Sequence, residues 1–566
     1  MNLKYAEILK INNELKNANL PFYNISVISN ITINQIKEIL EYTLRKEGIN
    51  ANVEIGDYDN IVQDSAKYKD SNVVIIFWEL CNIVDGLQYK IELFDEKKFN
   101  DILEKTKAEI DLVLKNLDKT SVVLFNKFTA IPFSGSIKSN LEILADKLNE
   151  YIKDKVNIID LDKVLIKAKN ALDLRYYYSY KALYTIKFLK VYSQYIKPYI
   201  MSINGKAKKA LIFDGDNTLW KGILGESGTI EMSERTKDGI IFSEVQNIAL
   251  SLNKKGILIG LCSKNNPQDV DKLIDYHPDM KLKRKYITIN KSNWLDKVTN
   301  LRQIAKELNI GLDSIVFVDD SSFEVNLVRE QLPEVMVLQV PERLYEYPQM
   351  LRDNIDLFYN LSTSGEDLNR AKMYEEQIRR ENVKGKFANI EEYLASLELK
   401  LTIFQDDKSA ISRLSQMSQK TNQFNLTTER YTETDIKNFM ISKKSKVFSF
   451  IVSDKFGNSG ITGLCIVNIF PQFANIDTFL MSCRIIGRNI EFAFMDYLVD
   501  FFSNNDIKRI LARYNKTNKS EQVREFYDKC SFSLIGSSSE VRDYELFVNE
   551  YKAKKIKYIE VKNGSK

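Results

Sequence analysis

The stretch ALIFDGDNTLW, residues 210–220, joins a short apolar run to two aspartates, Asp214 and Asp216. The apolar run has the length of a buried strand, and the aspartates follow where that strand ends. Open α/β sheets bind their ligands at the carboxyl ends of their strands. The stretch therefore predicts a parallel sheet that carries two carboxylates at its ligand-binding edge.

A calcium-binding loop of the EF-hand type is one alternative for aspartates at this spacing. Such a loop needs a glycine at its sixth position and a glutamate at its twelfth. Counted from Asp214, these positions hold Leu219 and Gly225, so the EF-hand alternative fails. The remaining interpretation is phosphoryl transfer, in which one carboxylate attacks phosphorus, a second handles the leaving-group proton and Mg²⁺ neutralises the oxygens.

Further residues that phosphoryl transfer needs follow in order along the chain. Ser263 closes the predicted strand GILIGLC, and Lys297 lies in NWLDKVTNL. Asp319 and Asp320 end the predicted strand SIVFV. Because each lies at a strand end or at the start of the next helix, we expect all of them to meet at one sheet edge. The predicted magnesium ligands are the four carboxylates Asp214, Asp216, Asp319 and Asp320.

Length and composition predict a globular protein of several domains. At roughly 150 residues per domain, the 566 residues suggest about three or four domains. Hydrophobic residues make up 44% and charged residues 28%, which argues against long disorder and against a membrane span. The N-terminal residues mix charge with apolar positions and offer no signal-peptide core. We therefore expect a cytoplasmic protein without a membrane partner.

Cysteine, histidine and charge restrict the chemistry further. The five cysteines are scattered without a C-x-x-C pair, which argues against a disulfide framework or a thiolate zinc site. A Ser-His-Asp triad or a histidine-ligated metal has only His277 to draw upon. The net charge of +4 includes no basic tail, so we expect no nucleic-acid partner.

Three patterns divide the chain. Residues 1–200 alternate predicted strands with helices, which favours a parallel, helix-covered sheet. A second alternation over 205–345 contains the aspartates, and a charged helical connector follows over 346–396. From 397 to 566 the predicted strands alternate apolar with polar residues, which predicts a mixed α+β domain. The predicted fold class is α/β with three domains.

The ordered motifs resemble the haloacid-dehalogenase superfamily. Its D-x-D-x-T pattern is spelled here by Asp214, Asp216 and Thr218. The resemblance implies a Rossmann-like domain in which Asp214 is the nucleophile and Asp216 the general acid and base. An aspartate at position 216 favours phosphatase over dehalogenase chemistry, because a halide leaving group needs no proton. The candidate phosphate-binding residues are Thr218, Ser263, Lys264 and Asn265.

The amino-acid sequences of these motifs and of the segments around them resemble the FkbH-like proteins over about residues 20–545. The matching segments are LIFDGDNTLWKGILGE, GLCSKNN, FVDDSSFEVNLVREQLPEV, SQKTNQFNLTT and DTFLMSCRIIGR. The resemblance implies an SGNH/flavodoxin-like first domain, a central haloacid-dehalogenase domain and a GNAT-like third domain. Members of this family take the glyceryl group of 1,3-bisphosphoglycerate, remove its phosphates and deliver it to the phosphopantetheine thiol of an acyl carrier protein.

The chain departs from the family pattern beside the phosphatase motif and in the first domain. Lys221 in LWKGI stands where the family usually has glycine, which bears on substrate choice. Ser29 in ISNIT has no GDS context, and Asp173 is not followed by a histidine. We therefore expect the first domain to be non-hydrolytic and to serve docking or plain structural support.

The turn RIIGRN in the third domain resembles the GNAT pattern R-x-x-G-x-G/A, whose backbone N–H groups hold the pyrophosphate of coenzyme A. The resemblance implies pantetheine contacts from Arg484, Gly487 and Arg488, while Asn489 takes the place of the last small residue. FYDKCSF resembles the GNAT segment FYEKxGF, in which the tyrosine, here Tyr527, protonates a leaving thiolate. A purely structural third domain is the alternative.

Two cysteines compete as carriers of the acyl group. Cys262 lies at a strand end beside Lys264 and Lys297, where a lowered pKa would make its thiol nucleophilic. Cys483 lies next to the pantetheine-like turn. A buried free cysteine is usually a packing residue, so direct transfer without an enzyme thioester is the third alternative.

Three functions remain open from the sequence. The leading hypothesis is a magnesium-dependent phosphatase and acyl-carrier glyceryltransferase. The second is a magnesium-dependent phosphatase for a sugar or other small phosphate, whose GNAT-like domain acylates a sugar amine from coenzyme A in surface-glycan or secondary-metabolite synthesis. The third is a non-catalytic scaffold for a carrier protein, against which the complete aspartate set argues.

Overall fold

The structure is a computed structural model. It describes residues 3–564, with gaps at 18–20, 119, 121, 227–229, 360–372, 374–375, 377–378, 381–382, 384–386, 388, 422 and 518–519. The chain divides into two compact units, residues 1–200 and 201–566. The finer bounds 205–345, 346–396 and 397–566 stay predictions, and most of the central part of the connector lies outside the described residues.

The first unit is built on a parallel sheet of five strands. The strands are β1 (Tyr23–Ser29), β2 (Ala51–Ile55), β3 (Val73–Phe77), β4 (Val122–Asn126) and β5 (Asn157–Ile159). The helices are α1 (Tyr5–Leu15), α2 (Ile36–Arg45), α3 (Ile61–Lys67), α4 (Leu87–Lys90), α5 (Glu96–Asn116), α6 (Asn140–Ile152), α7 (Leu161–Lys167), α8 (Leu174–Tyr180) and α9 (Ile186–Ile203). The strand order β2-β1-β3-β4-β5 is that of flavodoxin-like doubly wound folds.

Local sequence signals set the elements of this unit. All five residues of β3 are buried, as expected for a central strand covered by helices on both faces. The carboxylate of Asp95 accepts a hydrogen bond from the Lys98 N–H and so begins α5. Ser139 and Glu142 form a capping box at the start of α6.

A buried carboxyl group lies at the carboxyl ends of β1 and β3, where the strand order reverses. Glu79, which follows β3, is 2% exposed. Its backbone exchanges two hydrogen bonds with the side chain of Asn30, and the Tyr184 hydroxyl donates to Glu79 Oε1 at 2.6 Å. Burial raises the pKa of Glu79 to about 7, although the hydrogen bond from Tyr184 lowers it. Glu79 therefore holds its proton to a higher pH than an ordinary glutamate does.

The second unit begins with another parallel sheet of five strands. These are β6 (Ala210–Phe213), β7 (Leu258–Ser263), β8 (Ile289–Ser292), β9 (Ile315–Asp319) and β10 (Met336–Gln339), in the order β10-β9-β6-β7-β8. The helices around it are α10 (Gly239–Asn253), α11 (Pro267–Tyr276), α12 (Lys297–Glu307), α13 (Ser322–Gln331) and α14 (Tyr347–Asp353). Hydrophobic clusters pack on both faces of this sheet.

The pairing register brings the ends of three strands together. Phe213, the last residue of β6, lies opposite Leu261 of β7 and Val318 of β9. The residues that follow in each strand therefore meet at one edge of the sheet. Helix α12 begins at the same edge, because its first residue, Lys297, donates to the Cys262 carbonyl of β7. The carboxylate of Asp296 accepts from the Thr299 N–H and caps this helix.

The remainder of the second unit is a mixed sheet of nine strands. These are β11 (Leu399–Gln405), β12 (Phe424–Asn425), β13 (Ser445–Asp454), β14 (Gly457–Ile469), β15 (Phe473–Met481), β16 (Arg509–Asn515), β17 (Ser533–Ser537), β18 (Val541–Phe547) and β19 (Ile559–Asn563). The helices are α15 (Ile390–Ser396), α16 (Ile411–Lys420), α17 (Glu433–Ile441), α18 (Ile490–Asn504) and α19 (Phe526–Lys529). The main path runs β17-β18-β16-β15-β14-β13-β11-β19.

The parallel strands β15 and β16 separate after a short paired section. Residues 473–476 pair with 509–512, and β12 pairs with the far end of β15. Next to β12, the Leu426 N–H donates to the Phe479 carbonyl at 3.1 Å, and the Asn515 N–H donates to the Leu426 carbonyl at 2.7 Å. A short segment of the chain therefore bridges the two strands where they part.

A buried ion cluster joins the predicted connector to this mixed sheet. Arg380 Nε lies 2.7 Å from Asp454 Oδ2, and Arg488 Nη1 lies 3.3 Å from the same oxygen. The side chain of Asp454 is 1% exposed, so both guanidinium groups neutralise an interior charge. Val383 and Phe387 of the connector pack against the hydrophobic core on this sheet.

The predicted α/β fold class is confirmed, with two parallel sheets and one mixed sheet. Among the helices that the structure describes, none combines the length and the apolar character that a membrane crossing requires.

Candidate active site

The carboxyl edge of β6, β7 and β9 places a lysine among acidic side chains. Asp214 directly follows β6, and Lys297 is the first residue of α12. The Lys297 ammonium contacts Asp214 Oδ1, donates to the Cys262 carbonyl at 2.5 Å and lies 3.5 Å from Asp319 Oδ2. Lys297 is 2% exposed and Asp214 8% exposed, so water screens their attraction little.

Three carboxylates at this edge form a group that fits a metal ion. One oxygen each from Asp214, Asp319 and Asp320 lies within 4.8 Å of the others. Asp319 Oδ2 is buried and makes no hydrogen bond to a described residue. Hard cations such as Mg²⁺ take oxygen ligands of this kind, commonly from one or two carboxylates. The donor set and the unsatisfied buried oxygen therefore fit Mg²⁺.

Burial and crowding shift the pKa values of these acidic groups upward. Burial raises the pKa of Asp214, although Lys297 lowers it. Burial and the charge of Asp214 raise the pKa of Asp319 to about 7, and the same two causes raise the pKa of Asp320. Burial lowers the pKa of Lys297, but the carboxylates of Asp214 and Asp319 outweigh it and raise that pKa overall. The site therefore favours additional positive charge.

Asp216 is held apart from these three carboxylates. Trp220 Nε1 donates to Asp216 Oδ1 at 2.8 Å, and the Leu224 N–H donates to the same oxygen at 3.0 Å. Asn265 Nδ2 donates to Asp216 Oδ2 at 3.0 Å. The structure thus leaves the Asp216 side chain outside the group that fits a metal, contrary to its expected place among the ligands, and fixes it two residues from Asp214.

Ser263 and Asn265 lie at the base of the site, while Thr218 points into the interior. Asn265 Nδ2 donates to Ser263 Oγ at 3.0 Å, and a hydrogen bond from Ser263 lowers the pKa of Asp214. Thr218 is fully buried, and its hydroxyl makes no hydrogen bond to a described residue. Its carbonyl accepts from the Tyr347 hydroxyl at 3.1 Å. Ser263 and Asn265 are thus placed beside the predicted nucleophile, and Thr218 shapes the turn that follows it.

Two lysines near the site are engaged in ion pairs. Lys264 Nζ lies 2.5 Å from Glu324 Oε1, with its side chain 39% exposed. Lys221, the residue that departs from the family pattern, contacts the carboxylate of Asp238. Lys264 therefore reaches the surface next to Ser263, and the charge of Lys221 is neutralised by a neighbouring loop.

The thiol of Cys262 is packed in the hydrophobic core. Cys262 is fully buried and belongs to the cluster on one face of the sheet with Ile212 and Phe317. Burial raises the pKa of its thiol to about 12, although Lys297 lowers it. The expectation of a lowered pKa is therefore wrong, because Lys297 contacts the Cys262 backbone carbonyl while desolvation acts on the sulfur.

Three residues of the site had no predicted role. Trp220 holds Asp216, Glu324 pairs with Lys264, and Tyr347 supports the turn at Thr218. A Cβ atom at Gly215 would lie 2.7 Å from the Trp220 ring, so the glycine makes room for this indole. The four-residue spacing from Asp216 to Trp220 is a local signal, but Glu324 and Tyr347 reach the site only through tertiary packing.

The loop predicted to hold pantetheine lies just before α18. Gly487 and Asn489 have positive φ angles of 81° and 62°. Arg484 Nη2 donates to the Ser459 carbonyl at 3.2 Å. The Arg488 side chain turns inward to Asp454, so it neutralises an interior charge instead of facing a ligand. The loop has the backbone conformation of a tight turn, and Arg484 and Gly487 remain its candidate contact residues.

Tyr527 and Cys483 differ in their surroundings. Tyr527 is 1% exposed among core aromatic residues, and its hydroxyl makes no hydrogen bond to a described residue. Burial raises the pKa of Tyr527 well above its usual value. Cys483 is partly exposed, and its backbone carbonyl accepts from the side-chain amide of Asn309. Of the two candidate thiols, Cys483 is the more accessible.

The first unit does not assemble a hydrolase triad at the residues considered from sequence. Ser29 Oγ donates to the Ile31 carbonyl at 3.0 Å and accepts from the Ile31 N–H at 3.1 Å. Asp173 begins α8 and lies 2.8 Å from Arg175 Nη2. These local partners suit turns and helix caps, and a non-hydrolytic first unit stays the prediction.

Comparison with known proteins yields structural neighbours only. No protein-family model matches the chain, and no curated protein matches it. The N-terminal part of the protein BF1531 from Bacteroides fragilis, which contains a phosphatase domain and is complexed with Mg, is 25% identical, with a TM-score of 0.55. The match covers 64% of this chain and 100% of that chain. It supports the haloacid-dehalogenase part of the resemblance, while the FkbH-like assignment stays a prediction.

Two acetyltransferases match a shorter part of the chain. The ribosomal-protein-S18-alanine N-acetyltransferase from Escherichia coli is 9% identical and covers 26% of this chain and 94% of its own, with a TM-score of 0.22. Mutant forms of the spermidine/spermine N-acetyltransferase SpeG from Vibrio cholerae are 12% identical and cover 27% and 95%, with a TM-score of 0.22. Similarities this low show nothing about the activity of this chain.

Proposed function

We propose that the chain is a magnesium-dependent phosphatase that also transfers a glyceryl group to an acyl carrier protein. The observation that carries the phosphatase part is the meeting of Asp214, Lys297, Asp319 and Asp320 at one edge of a parallel sheet. The similarity to a magnesium-complexed structure with a phosphatase domain supports it. The transfer part rests on the resemblance to FkbH-like proteins, with 1,3-bisphosphoglycerate as the glyceryl donor.

In the hydrolysis of a phosphate monoester, Asp214 acts as the nucleophile and Asp216 as the general acid and base. A carboxylate oxygen of Asp214 attacks phosphorus while the bond from phosphorus to the leaving oxygen breaks. Asp216 gives its proton to that leaving oxygen, and the aspartyl phosphate remains on Asp214. Asp216 then takes a proton from water as the water oxygen attacks phosphorus. This second step releases inorganic phosphate and restores both carboxyl groups.

The surrounding residues bind and orient the phosphate. Lys297 keeps its ammonium against Asp214 and so balances the negative charge that gathers on nucleophile and phosphate. Ser263 and Asn265 offer a hydroxyl and an amide beside them. When held by Asp214, Asp319 and Asp320, Mg²⁺ supplies further positive charge to the phosphate oxygens.

Glyceryl transfer uses a separate reaction of the same substrate. A thiolate attacks the carbonyl carbon of the acyl phosphate, the carbon–oxygen bond to phosphate breaks, and a thioester forms as the first phosphate leaves. The second phosphate is a monoester, so its removal needs Asp214 and Asp216. The final acceptor in this proposal is the phosphopantetheine thiol of the carrier protein, near Arg484 and Gly487.

Intact mass spectrometry of candidate carrier proteins tests the whole proposal. After incubation with the full-length protein, Mg²⁺ and 1,3-bisphosphoglycerate, we expect a carrier protein that has gained a glyceryl group in thioester linkage. A parallel assay measures Mg²⁺-dependent release of phosphate from a small monoester. Phosphate release without carrier loading would retain the phosphatase and reject the transfer, and the absence of both would reject the proposal.

A further inference from the structure

The carboxylate of Asp216 accepts three hydrogen bonds from described residues, and they are divided unequally between its two oxygens. Trp220 Nε1 donates to Oδ1 at 2.8 Å, and the Leu224 N–H donates to the same oxygen at 3.0 Å. Asn265 Nδ2 donates to Oδ2 at 3.0 Å. A carboxylate has about four acceptor positions, two on each oxygen. Oδ1 is therefore filled by its two donors, whereas Oδ2 keeps one acceptor position beyond the bond from Asn265.

The indole of Trp220 is a fixed donor because it is held in the hydrophobic core. Trp220 is fully buried and belongs to the same hydrophobic cluster as Phe242. A Cβ atom on Gly215 would lie 2.7 Å from the indole ring and 2.9 Å from Ser263 Oγ. The backbone just before Asp216 thus passes closely between these two groups. The indole cannot turn without disturbing this packing, so its N–H holds Asp216 Oδ1 in one place.

The loop that supplies both donors to Oδ1 is closed by backbone pairing. Lys221 and Glu231 exchange two backbone hydrogen bonds, of 2.9 and 3.0 Å. Trp220 and Leu224 lie on either side of Lys221 in the chain. The loop itself therefore sets the orientation of Asp216 before any substrate binds.

The second oxygen of Asp216 is linked to the predicted nucleophile. Asn265 Nδ2, which donates to Asp216 Oδ2, also donates to Ser263 Oγ at 3.0 Å. Ser263 in turn makes a hydrogen bond to Asp214. A chain of hydrogen bonds thus runs from Asp216 Oδ2 to Asp214. The oxygen that keeps an acceptor position is the one on the side of the reacting phosphate.

We propose that Trp220 is a positioning residue for the general acid and base Asp216. Because Trp220 holds Oδ1, Oδ2 gives a proton to the leaving oxygen as its bond to phosphorus breaks, and later takes a proton from the attacking water. The inference rests on the proposed phosphatase reaction and adds to it a residue of the core. It also names the substrates that depend on Trp220, which are phosphate monoesters of aliphatic alcohols, since their leaving oxygen needs a proton.

Hydrolysis of two phosphate monoesters by the full-length protein with Mg²⁺ tests this inference. The alkoxide that leaves glycerol 3-phosphate needs a proton, whereas the nitrophenolate that leaves p-nitrophenyl phosphate is stable without one. Trp220→Phe keeps an aromatic ring and removes the N–H donor. We expect kcat/KM, which reports the departure of the leaving group, to fall about tenfold or more for glycerol 3-phosphate and less than about threefold for p-nitrophenyl phosphate.

Two further variants separate positioning from general damage to the site. In the Asp216→Asn background, Trp220→Phe should change kcat/KM for either substrate by less than about twofold, because Trp220 acts through Asp216. Phe242→Leu is the matched control, since it loosens the cluster around Trp220 and keeps all three hydrogen bonds to Asp216. It should leave the ratio of the two kcat/KM values unchanged.

The outcomes distinguish this inference from the proposed function. An equal effect of Trp220→Phe on both substrates, or a further loss in the Asp216→Asn background, would reject the positioning role and retain the phosphatase. If circular dichroism shows that Trp220→Phe does not fold, replacing the Trp220 indole by the isosteric benzothiophene ring removes the same donor, and the same ratio decides. Absence of hydrolysis of both substrates by the wild-type protein would reject the phosphatase and this inference together.

Discussion

The ammonium group of Lys297 contacts the carboxylate of Asp214 inside the protein, where both residues are buried. Each group would be costly to bury alone, because a buried charge loses its hydration. Asp319 Oδ2, at 3.5 Å, adds a second negative group beside the same ammonium. Lys297 is therefore the internal cation that allows two carboxylates to remain close together before any metal binds.

Replacing Lys297 by methionine should destabilise the sheet that carries the site. We expect a loss of about 3–5 kcal/mol in metal-free protein, since removing one partner leaves buried charge uncompensated. Added Mg²⁺ should restore part of this loss. Hydrogen exchange of the β6 and β9 amides, with and without Mg²⁺, measures both effects.

Lys291→Met is the matched control for this experiment. Lys291 pairs with Glu307 at 2.6 Å, but these side chains are 21% and 30% exposed. A partly exposed pair contributes about 0–1 kcal/mol, so this variant should lose little and should not respond to Mg²⁺. Equal behaviour of the two variants would contradict the role assigned to Lys297.

Asp214→Asn should abolish hydrolysis of phosphate monoesters but leave thioester formation intact. The amide is a poor nucleophile, and removing a nucleophile usually costs orders of magnitude in turnover. The carrier protein should then retain the terminal phosphate and be about 80 Da heavier than the glyceryl adduct, as measured by intact mass spectrometry. Asp275→Asn, an exposed change on α11, is the control. A variant at Asp214 with more than about a tenth of wild-type turnover would refute the nucleophile assignment.

Cys262→Ala should load the carrier protein at the wild-type rate. Its thiol lies in the core with a raised pKa, so little thiolate is present to attack a carbonyl. Loading and phosphate release can be followed in the same incubation. A loss of loading by about tenfold or more, with phosphate release intact, would show that Cys262 carries the acyl group. Repeating the assay with Cys483→Ala separates transfer through Cys483 from direct transfer to the carrier.

Glu79→Gln should stabilise the first unit at alkaline pH. The pKa of Glu79 is about 7 in the folded state against 4.5 ordinarily, so the folded state binds more protons between these values. Stability therefore falls as pH rises from about 4.5 to 7, and the cost stays above pH 7. Glutamine cannot ionise and still accepts from Tyr184, so we expect a gain of about 3 kcal/mol at pH 8 that shrinks toward pH 5.

Hydrogen exchange of the β1 and β3 amides at pH 5 and pH 8 measures this gain. Glu54→Gln is the matched control, because Glu54 lies exposed on β2 of the same sheet. It should change stability little at either pH. A gain that is equal at both pH values would rule out titration of Glu79 as its cause.

The acidic site was predictable because parallel strands end at one edge of a sheet. Asp214, Ser263 and Asp319 each stand at the end of an apolar run, and the sheet order brings those ends together. The two-residue period of a strand also explains why the Cys262 thiol is buried. Since neighbours in a strand point to opposite faces, Cys262 packs in the core while Ser263 reaches the site.

Other parts depend on contacts between residues far apart in the chain. The pairing of Glu324 with Lys264 needs two strand ends to meet, and the bridging of β15 and β16 by Leu426 needs a loop to return to the sheet. The inward turn of Arg488 follows from the position of Asp454. No local pattern encodes these partners, so the sequence predicted the loops without their internal contacts.

The burial of Arg380 against Asp454 limits how the chain can be cut. A fragment that begins at the predicted boundary, residue 397, would lack Arg380 together with Val383 and Phe387. Asp454 would keep Arg488 as a partner but lose the closer of its two guanidinium groups, and part of the core would face solvent. The region from residue 397 onward is therefore not a portable module, and transplanting it requires Arg380, Val383 and Phe387 as well.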